Sequence, residues 1–307
     1  MIVNFSNRLS IVPPGWNDRL HFFKYMSVST AKIVLENRTL RWSSPKKLND
    51  PFDIQFNMEI EADPSKVKER ALELLWQVHQ GKLNPNPDNP LGAVFGLLRY
   101  HKIPLSRNDI VKEFGPAFDE GFSRMLAKLP EIHAEAARII EDNKILCLTT
   151  RPDNTLMWAH YAEAHQGIVL RFRSIPALNT PYGMAKPVNY VEKVPVLLDE
   201  EQLAGVFSGV FSLKEAGILD RTIYTKSKHW QYEDEWRLSA GAGRNPGADF
   251  EDCPFGQNEL DGIIFGLRTS DEDRAQIRAF AKPYPNVQWM HVQREPASFD
   301  LRILEMV

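Results

Sequence analysis

Cysteine is scarce in this chain of 307 residues, which contains only Cys147 and Cys253. The two cysteines are far apart in sequence and Cys147 lies in an apolar run, so we expect no disulfide scaffold. Free thiols are typical of a reducing compartment, which predicts a cytoplasmic protein. Neither cysteine has a neighbour at metal-ligand spacing, and the H-E-x-x-H motif is absent. We therefore also expect no zinc site.

Long apolar runs and a strong net charge are missing as well. No stretch reaches the ~18 consecutive apolar residues of a membrane span, and residues 1–16 lack the apolar segment of a signal peptide. We therefore expect no membrane partner. The formal net charge of −3 argues against a protein that binds nucleic acid through its overall charge. The content of 43% hydrophobic and 25% charged residues indicates a globular protein with a substantial core.

Strand-like runs lie toward both ends of the chain, and helical patterns lie between them. Residues 1–19 are predicted to form an N-terminal arm, and residues 20–307 a single α+β domain with a mixed or antiparallel sheet. Residues 64–142 are predicted to be a mainly helical insertion, because apolar residues recur there at helical spacing. Within it, 104–143 should hold two or three helices. Strands are predicted at 20–25, 39–43, 54–60, 145–148, from 168 onward, at 186–194, in the second half of 228–239, and at 260–267, 287–292 and 299–303, with a loop at 241–257.

The stretch 145–172 combines a buried strand with several polar aromatic side chains. A helix is predicted over 155–165, stopped by Gly167. Helical spacing puts Trp158, Tyr161 and His165 on one face, but not the adjacent His160. Such side chains can stack on a base or on nicotinamide, or form a hydrogen bond to a ribose. The alternative is structural, since single histidines and tryptophans beside a core more often only pack there.

Two acidic motifs are further candidates. Asn49 and Asp50 precede Pro51 in a loop, where they could contact a ligand or could simply build the turn. Glu233 and Glu235 are two residues apart, which on a strand would point both carboxylates the same way, toward solvent or a cleft. Proximity of like charges raises one pKa. Nearby cations that could offset this charge are Lys226, Lys228 and Arg237.

Together these blocks resemble a large, mostly bacterial family of unknown function. The shared blocks are a K-Y pair, a P-x-x-x-N-D-P-F loop, a C-x-T-x…L-M-W-x-H-Y-x-x-x-H-x-G block, a W-x-Y-E-x-E-W-R block and a G-I-I-x-G strand. They lie here at 24–25, 45–52, 147–167, 230–237 and 262–266. The blocks follow one another over almost the whole chain, which makes the resemblance specific. It implies a family but no particular activity.

The order of the blocks is in turn similar to the ADP-ribosyltransferase plan, which is built on a split sheet. That plan has a basic or histidine residue on a first strand, a Ser/Thr or Tyr residue on a middle strand, and a glutamate in an E-x-E turn on a later strand. The chain departs from it in having no first-strand arginine, no S-T-S run and no Gly-rich phosphate loop. The matching positions are His21 or Lys24, then Thr149 or Tyr161, then Glu233 and Glu235.

This second resemblance implies NAD as a substrate. A basic group would orient the ribose or phosphates, and an aromatic ring would pack on nicotinamide. Glu235 would stabilise the positive charge that develops as nicotinamide departs. Glu233 would position the acceptor, a protein or nucleic acid, and a toxin or phage-defence effector is the implied role. The residues implied for catalysis are Glu235, Glu233, His160 and Tyr161; those implied for NAD binding are Lys24, Tyr25, His21, Asn49, Asp50, Thr149, Trp158 and His165.

Two alternatives compete with this interpretation. One is a hydrolase or nuclease that uses Asp50, His160, His165 and Glu235, with or without a divalent metal. The other is a non-catalytic module that binds a nucleotide or a protein. Product analysis after incubation with NAD would separate the transferase from both.

Overall fold

The computed structural model describes residues 15–54, 62–194, 198–212 and 218–306. The chain forms two compact units. We call Met1–Asp53, Glu141–Glu192 and Lys226–Val307 the sheet unit, and Ile54–Ile140 and Lys193–Thr225 the helical unit. Among the described residues, no helix is both long enough and apolar enough to cross a membrane.

Ten strands in the described part of the sheet unit form one mixed, mostly antiparallel sheet, which confirms the predicted α+β class. The strands are β1 (His21–Met26), β2 (Thr39–Ser43), β3 (Ile145–Thr149), β4 (Ile168–Arg173), β5 (Lys186–Pro187), β8 (Glu235–Ser239), β9 (Phe250–Pro254), β10 (Leu260–Phe265), β11 (Gln288–Arg294) and β12 (Leu301–Glu305). The order along the sheet is β12-β11-β10-β4-β1-β3-β2-β9, and β8 pairs with both β3 and β5. The remaining elements of this unit are the short pair β6 (Asn189–Val191) and β7 (Thr225–Ser227), and the helices α1 (Val28–Asn37), α5 (Thr155–Tyr161) and α8 (Asp271–Phe280).

The core lies on both faces of the central strand β4. Ile168 and Leu170 belong to one buried apolar cluster, and Val169 belongs to the other. Successive side chains of a strand point to opposite faces, so an unbroken apolar run is needed where both faces are covered. The first cluster also packs against α1, which begins where the Ser27 side chain accepts a hydrogen bond from the Thr30 amide at 3.1 Å.

The sheet splits next to β3. This strand pairs with β8 along its whole length, but it meets β1 only through Thr149 and Phe23, and β2 only through Ile145 and Ser43. Between these two bridging points the backbones of β1, β2 and β3 diverge. The gap between them is where side chains can surround a ligand instead of one another.

The helical unit contains α2 (Pro64–His79), α3 (Pro90–Tyr100), most of α4 (Arg107–Glu141), α6 (Glu200–Phe207) and α7 (Ile218–Ile223). The sequence predicted only residues 64–142 as the helical insertion. The structure places residues 193–225 in the same compact unit. The Asp63 side chain caps α2 by accepting from the Ser65 amide at 2.9 Å. The backbones of Gly92 and Gly209 approach so closely that a Cβ on Gly92 would lie 2.4 Å from the Gly209 carbonyl oxygen, which only glycine allows.

Three sequence predictions are wrong in their details. Residues 104–143 hold one helix of 35 residues, which continues through Pro116 and Pro130. The helix predicted over 155–165 ends at Tyr161, because residues 163–165 adopt left-handed backbone angles. The loop predicted at 241–257 contains the edge strand β9, which pairs with β2.

Parts of two predictions lie outside the described residues, namely 1–14 of the arm and 55–60 of the third strand. Asn17, within the predicted arm, donates hydrogen bonds to the carbonyls of Gly183, Tyr182 and Ala185.

Candidate functional site

A cavity of about 250 Å³ occupies the split in the sheet. The strands β1 and β3 contribute Lys24, Tyr25, Cys147 and Thr149 to its wall. The charged residues that line it fall into two sets: an acidic cluster with its lysine, and a group of cations that includes Lys24.

The acidic cluster is centred on Lys226, the middle residue of β7. Its Nζ lies 2.6 Å from Glu233 Oε2, 3.0 Å from Glu235 Oε2 and 3.6 Å from Asp53 Oδ2. None of these four side chains is more than 5% exposed. Buried charges of this kind are stable only when they are paired and hydrogen-bonded.

Arg237 completes the cluster from the next inward position of β8. Its Nε donates to Glu235 Oε1 at 2.8 Å, and its Nη2 donates to Asp53 Oδ2 at 2.6 Å. The guanidinium is fully buried. With every group ionised, three carboxylates face two cations, so one negative charge is in excess within the cluster.

The surroundings drive the pKa values of the two glutamates in opposite directions. Burial raises the pKa of Glu233, and the neighbouring charge of Glu235 adds to this against the opposing effect of Lys226. Burial also opposes ionisation of Glu235, but Arg237 and Lys226 outweigh it and hold the pKa of Glu235 well below its usual range. One carboxylate is therefore firmly ionised, while the other holds a proton more readily than an ordinary glutamate does.

Tyr161 binds the carboxylate oxygen of Glu233 to which Lys226 does not donate. Its hydroxyl donates to Glu233 Oε1 at 2.5 Å and accepts from Asn49 Nδ2 at 2.6 Å. Burial, followed by the charge of Glu233, raises the pKa of Tyr161, so the phenol stays neutral and remains a donor. The ring reaches the cavity because Tyr161 is the last residue of α5.

Backbone anchors hold the E-x-E segment in place. Thr149 Oγ1 donates to the Glu233 carbonyl at 2.6 Å, and the Glu235 amide donates to Tyr190 Oη at 2.8 Å. Glu233 ends a 3-10 helix, and Asp234 has the left-handed φ of 45°. The prediction that both glutamates lie on one strand is thus wrong; the two carboxylates converge because of the turn at Asp234.

Three further cations line the cavity. Arg41 pairs with Asp252 and Lys47 pairs with Asp249, each at 3.0 Å. Lys24 Nζ donates to the Cys147 carbonyl at 2.7 Å. Within the described ranges, Lys24 has no carboxylate at ion-pair distance, so its charge is available to an anionic ligand.

Several residues implied by the resemblance do not line this cavity. His160 Nδ1 lies 3.0 Å from Tyr232 Oη, Asp50 accepts from the Phe52 amide in a turn, and Trp158 is buried with its Nε1 donating to the Pro152 carbonyl. His21 pairs with Asp261 at 2.9 Å, and His165 lines a different cavity. The structure therefore brings together Lys24, Tyr25, Asn49, Thr149, Tyr161, Glu233 and Glu235. His160 and Asp50 therefore do not line the cavity with the two glutamates.

Two groups that the sequence did not single out belong to the site. Asp53 lies only three residues after Asp50, but no sequence pattern distinguishes it. Cys147 is partly buried in the wall, and desolvation of its thiol, followed by the charge of Glu235, raises the pKa of that thiol to about 12. A thiol in this state is a poor nucleophile. Among the described residues, no three His, Cys, Asp or Glu side chains are arranged to hold a metal ion.

Comparison with known proteins adds one finding. A family model described as "Protein of unknown function (DUF2971)" matches residues 157–238. The matched segment contains Tyr161, Lys226, Glu233, Glu235 and Arg237, and so most of the acidic cluster. No curated protein and no solved structure matches the chain. Over the segment that carries the acidic cluster, the chain is thus similar to an uncharacterised family.

Proposed function

We propose that the cavity binds NAD as a substrate and that the protein transfers ADP-ribose to a protein or nucleic-acid acceptor in the cytoplasm. The observation that carries the proposal is a pair of carboxylates with pKa values shifted in opposite directions, in one cavity with the unpaired cation of Lys24. Such a transfer activity fits a toxin or phage-defence effector.

The size of the cavity limits how much of NAD it encloses. Its volume of about 250 Å³ is below the roughly 300–1,000 Å³ of pockets that surround a drug-sized ligand. We assign the nicotinamide riboside half to the cavity. Lys24 would contact a phosphate or ribose oxygen, and the Tyr25 and Phe23 rings in the wall offer apolar surface to the nicotinamide.

The two glutamates take different roles in this reaction. The bond between C1′ of the ribose and the pyridinium nitrogen breaks, its electron pair leaves with neutral nicotinamide, and positive charge develops on the ribose. The ionised Glu235 stabilises that charge. The acceptor nucleophile then bonds to C1′ and gives its proton to Glu233, whose raised pKa suits a base.

Nicotinamide release at saturating NAD tests the proposal. We expect Glu235→Gln to lower turnover on the order of a hundredfold with a smaller effect on NAD affinity, because charge is lost where the transition state needs it. Glu233→Gln should spare NAD cleavage and impair transfer to an acceptor. The matched control is Glu192→Gln, an exposed glutamate paired with Lys228, which should leave turnover unchanged.

Two results would reject the transferase. One is equal nicotinamide release by the wild type and Glu235→Gln. The other is no release from the wild type although NAD binds, which would indicate a non-catalytic nucleotide-binding module.

A further inference from the structure

A second cavity, of about 410 Å³, lies in the sheet unit apart from the acidic cluster. It is formed by the turn after α5, the segment after β10 and the loop that joins β11 to β12. The residues that matter chemically are His165, Arg268, Arg294, Phe299 and Asp300. None of them lines the first cavity.

His165 is held rigidly at this site. Its amide donates to the Trp158 carbonyl at 3.0 Å, and its own carbonyl accepts from the Arg268 amide at 2.9 Å. The imidazole stacks on the Trp158 ring, with the ring centroids 6.4 Å apart and the planes 11° from parallel. Glu163, Ala164 and His165 all have left-handed φ values, of 45°, 49° and 71°. Left-handed backbone costs energy in residues other than glycine, and such strain is concentrated at functional sites.

The imidazole also has an unfulfilled hydrogen bond. His165 Nδ1 is buried and has no partner among the described residues. A buried polar atom without a partner costs free energy, so its presence calls for an explanation. This atom is closed to solvent, so a ligand in the cavity meets the imidazole at its other nitrogen, Nε2.

The cavity carries an excess of positive charge. Neither Arg268 nor Arg294 has a carboxylate at ion-pair distance in the part of the chain that the structure describes. The single lining acid, Asp300, accepts from Ser298 Oγ at 2.6 Å and from no arginine in that part. After burial, these two guanidinium groups are the causes of a lowered pKa of His165. Paired guanidinium groups bind phosphate oxygens with favourable geometry.

An aromatic ring stands beside the cations. Phe299 is 99% exposed and lines the same cavity. A fully exposed phenylalanine next to guanidinium groups offers a face on which a base can stack, and such stacking tolerates any base. The Phe299 carbonyl accepts a hydrogen bond from Thr155 Oγ1 at 3.3 Å, which ties the loop to the start of α5.

We propose that this second cavity binds a nucleotide, with the phosphate between Arg268 and Arg294, a phosphate oxygen bonded to His165 Nε2, and the base on Phe299. The site is separate from the NAD cavity and does not depend on catalysis there. It adds a nucleotide-binding site that neither the sequence blocks nor the first cavity accounts for.

Binding of adenosine 5′-monophosphate, inorganic phosphate and adenosine to the full chain, measured by titration calorimetry, tests the site. We expect the monophosphate to bind best. Arg294→Gln should weaken its binding by about tenfold or more, the effect of losing a charged hydrogen bond. Phe299→Ala should weaken the monophosphate but leave inorganic phosphate unchanged. Arg173→Gln removes the same charge from an exposed position on β4 and should change nothing.

The outcome separates this site from the first cavity. Lys24→Gln should leave monophosphate binding intact, because Lys24 lines only the NAD cavity. Monophosphate binding that Lys24→Gln abolishes but Arg294→Gln and Phe299→Ala leave unchanged would overturn the second site. Absence of binding at millimolar ligand would overturn it as well.

Discussion

The two units of this protein differ in that one of them buries a cluster of charges. In the helical unit the ion pairs lie on the surface: Lys68 with Asp119, Arg70 with Glu201, and Arg107 with Glu73 all have side chains at least 32% exposed. In the sheet unit, five charged side chains share one buried cluster with exposures of 5% or less. The helical unit gains its stability elsewhere, from apolar clusters such as the stacked rings of Phe118 and Phe122.

The contrast shows where the protein accepts an energetic cost. An exposed ion pair forms at little cost and contributes about 0.2–1 kcal/mol. A buried pair must overcome the desolvation of both ions and is often no better than an apolar pair of equal volume. Stability alone therefore does not explain the cluster around Lys226. The position of the cluster in the wall of a cavity explains it, because buried charges there can act on a bound ligand.

The largest expected effect sharpens this contrast. Arg237→Met should lower the unfolding free energy by about 3–5 kcal/mol, because Glu235 and Asp53 would stay buried with less compensation. Denaturant unfolding followed by circular dichroism measures it. A loss under about 1 kcal/mol would mean that Arg237 contributes no more to stability than a surface ion pair. That result would contradict the contrast drawn between the two units.

A smaller loss is expected at Tyr161. Tyr161→Phe removes a hydroxyl that serves both Glu233 and Asn49, which should cost about 1–3 kcal/mol. The matched control is Tyr232→Phe, whose hydroxyl meets only His160 at 3.0 Å near the surface. Similar unfolding free energies for the two variants would mean that the Tyr161 hydroxyl contributes no more to stability than the Tyr232 hydroxyl near the surface.

The two glutamates should give stability slopes of opposite sign with pH. Native Glu235 has a pKa below its ordinary 4.5, so the unfolded chain binds more protons and stability falls as pH drops below about 4.5. Native Glu233 has a pKa above 4.5, so the native state binds more protons and stability falls as pH rises above about 4.5. Each slope can reach about 1.4 kcal/mol per pH unit.

Unfolding free energies of Glu235→Gln and Glu233→Gln across the acid range check these signs. Glu235→Gln should lose the decline toward acid, and Glu233→Gln should lose the decline toward neutral pH. If both substitutions alter the slope in the same direction, the opposed pKa shifts are wrong.

The smallest effect is expected on the surface of the helical unit. Arg70→Met removes the exposed pair with Glu201, although Arg70 makes three bonds of 2.7, 2.9 and 3.1 Å to that carboxylate. We expect a change of roughly 0.5 kcal/mol or less in the unfolding free energy. A loss as large as that of Arg237→Met would show that burial does not distinguish the two regions.

The sequence predicted the fold better than the site. Strand β2 was predicted with its observed bounds, because Thr39-Leu40-Arg41-Trp42-Ser43 is a compact run of strand-forming residues. The edge strand β9 was missed, since Phe250–Pro254 carries two acids and a proline and its pairing with distant β2 decides its structure. Two or three helices were predicted over 104–143, but one helix runs through Pro116 and Pro130.

The site depended on contacts that no local pattern encodes. Helical spacing separated His160 from Tyr161 correctly, yet it could not say which of the two would face Glu233. It also failed to place His165 in the first cavity, because that residue lies in the left-handed turn after α5, stacks on Trp158 and lines the second cavity. Lys226 was recognised as close enough in sequence to offset the glutamates, but its central place required the fold that brings Asp53 beside it.

The most direct test of the central claim is nicotinamide release by the double variant Arg237→Met/Glu235→Leu. It replaces one buried cation and one buried carboxylate together, so the excess of negative charge is unchanged and an apolar pair fills the space. We predict that this variant regains most of the stability lost in Arg237→Met, while its nicotinamide release falls on the order of a hundredfold or more below that of the wild type. A folded double variant that releases nicotinamide at the wild-type rate would contradict the claim that the buried charges serve the reaction.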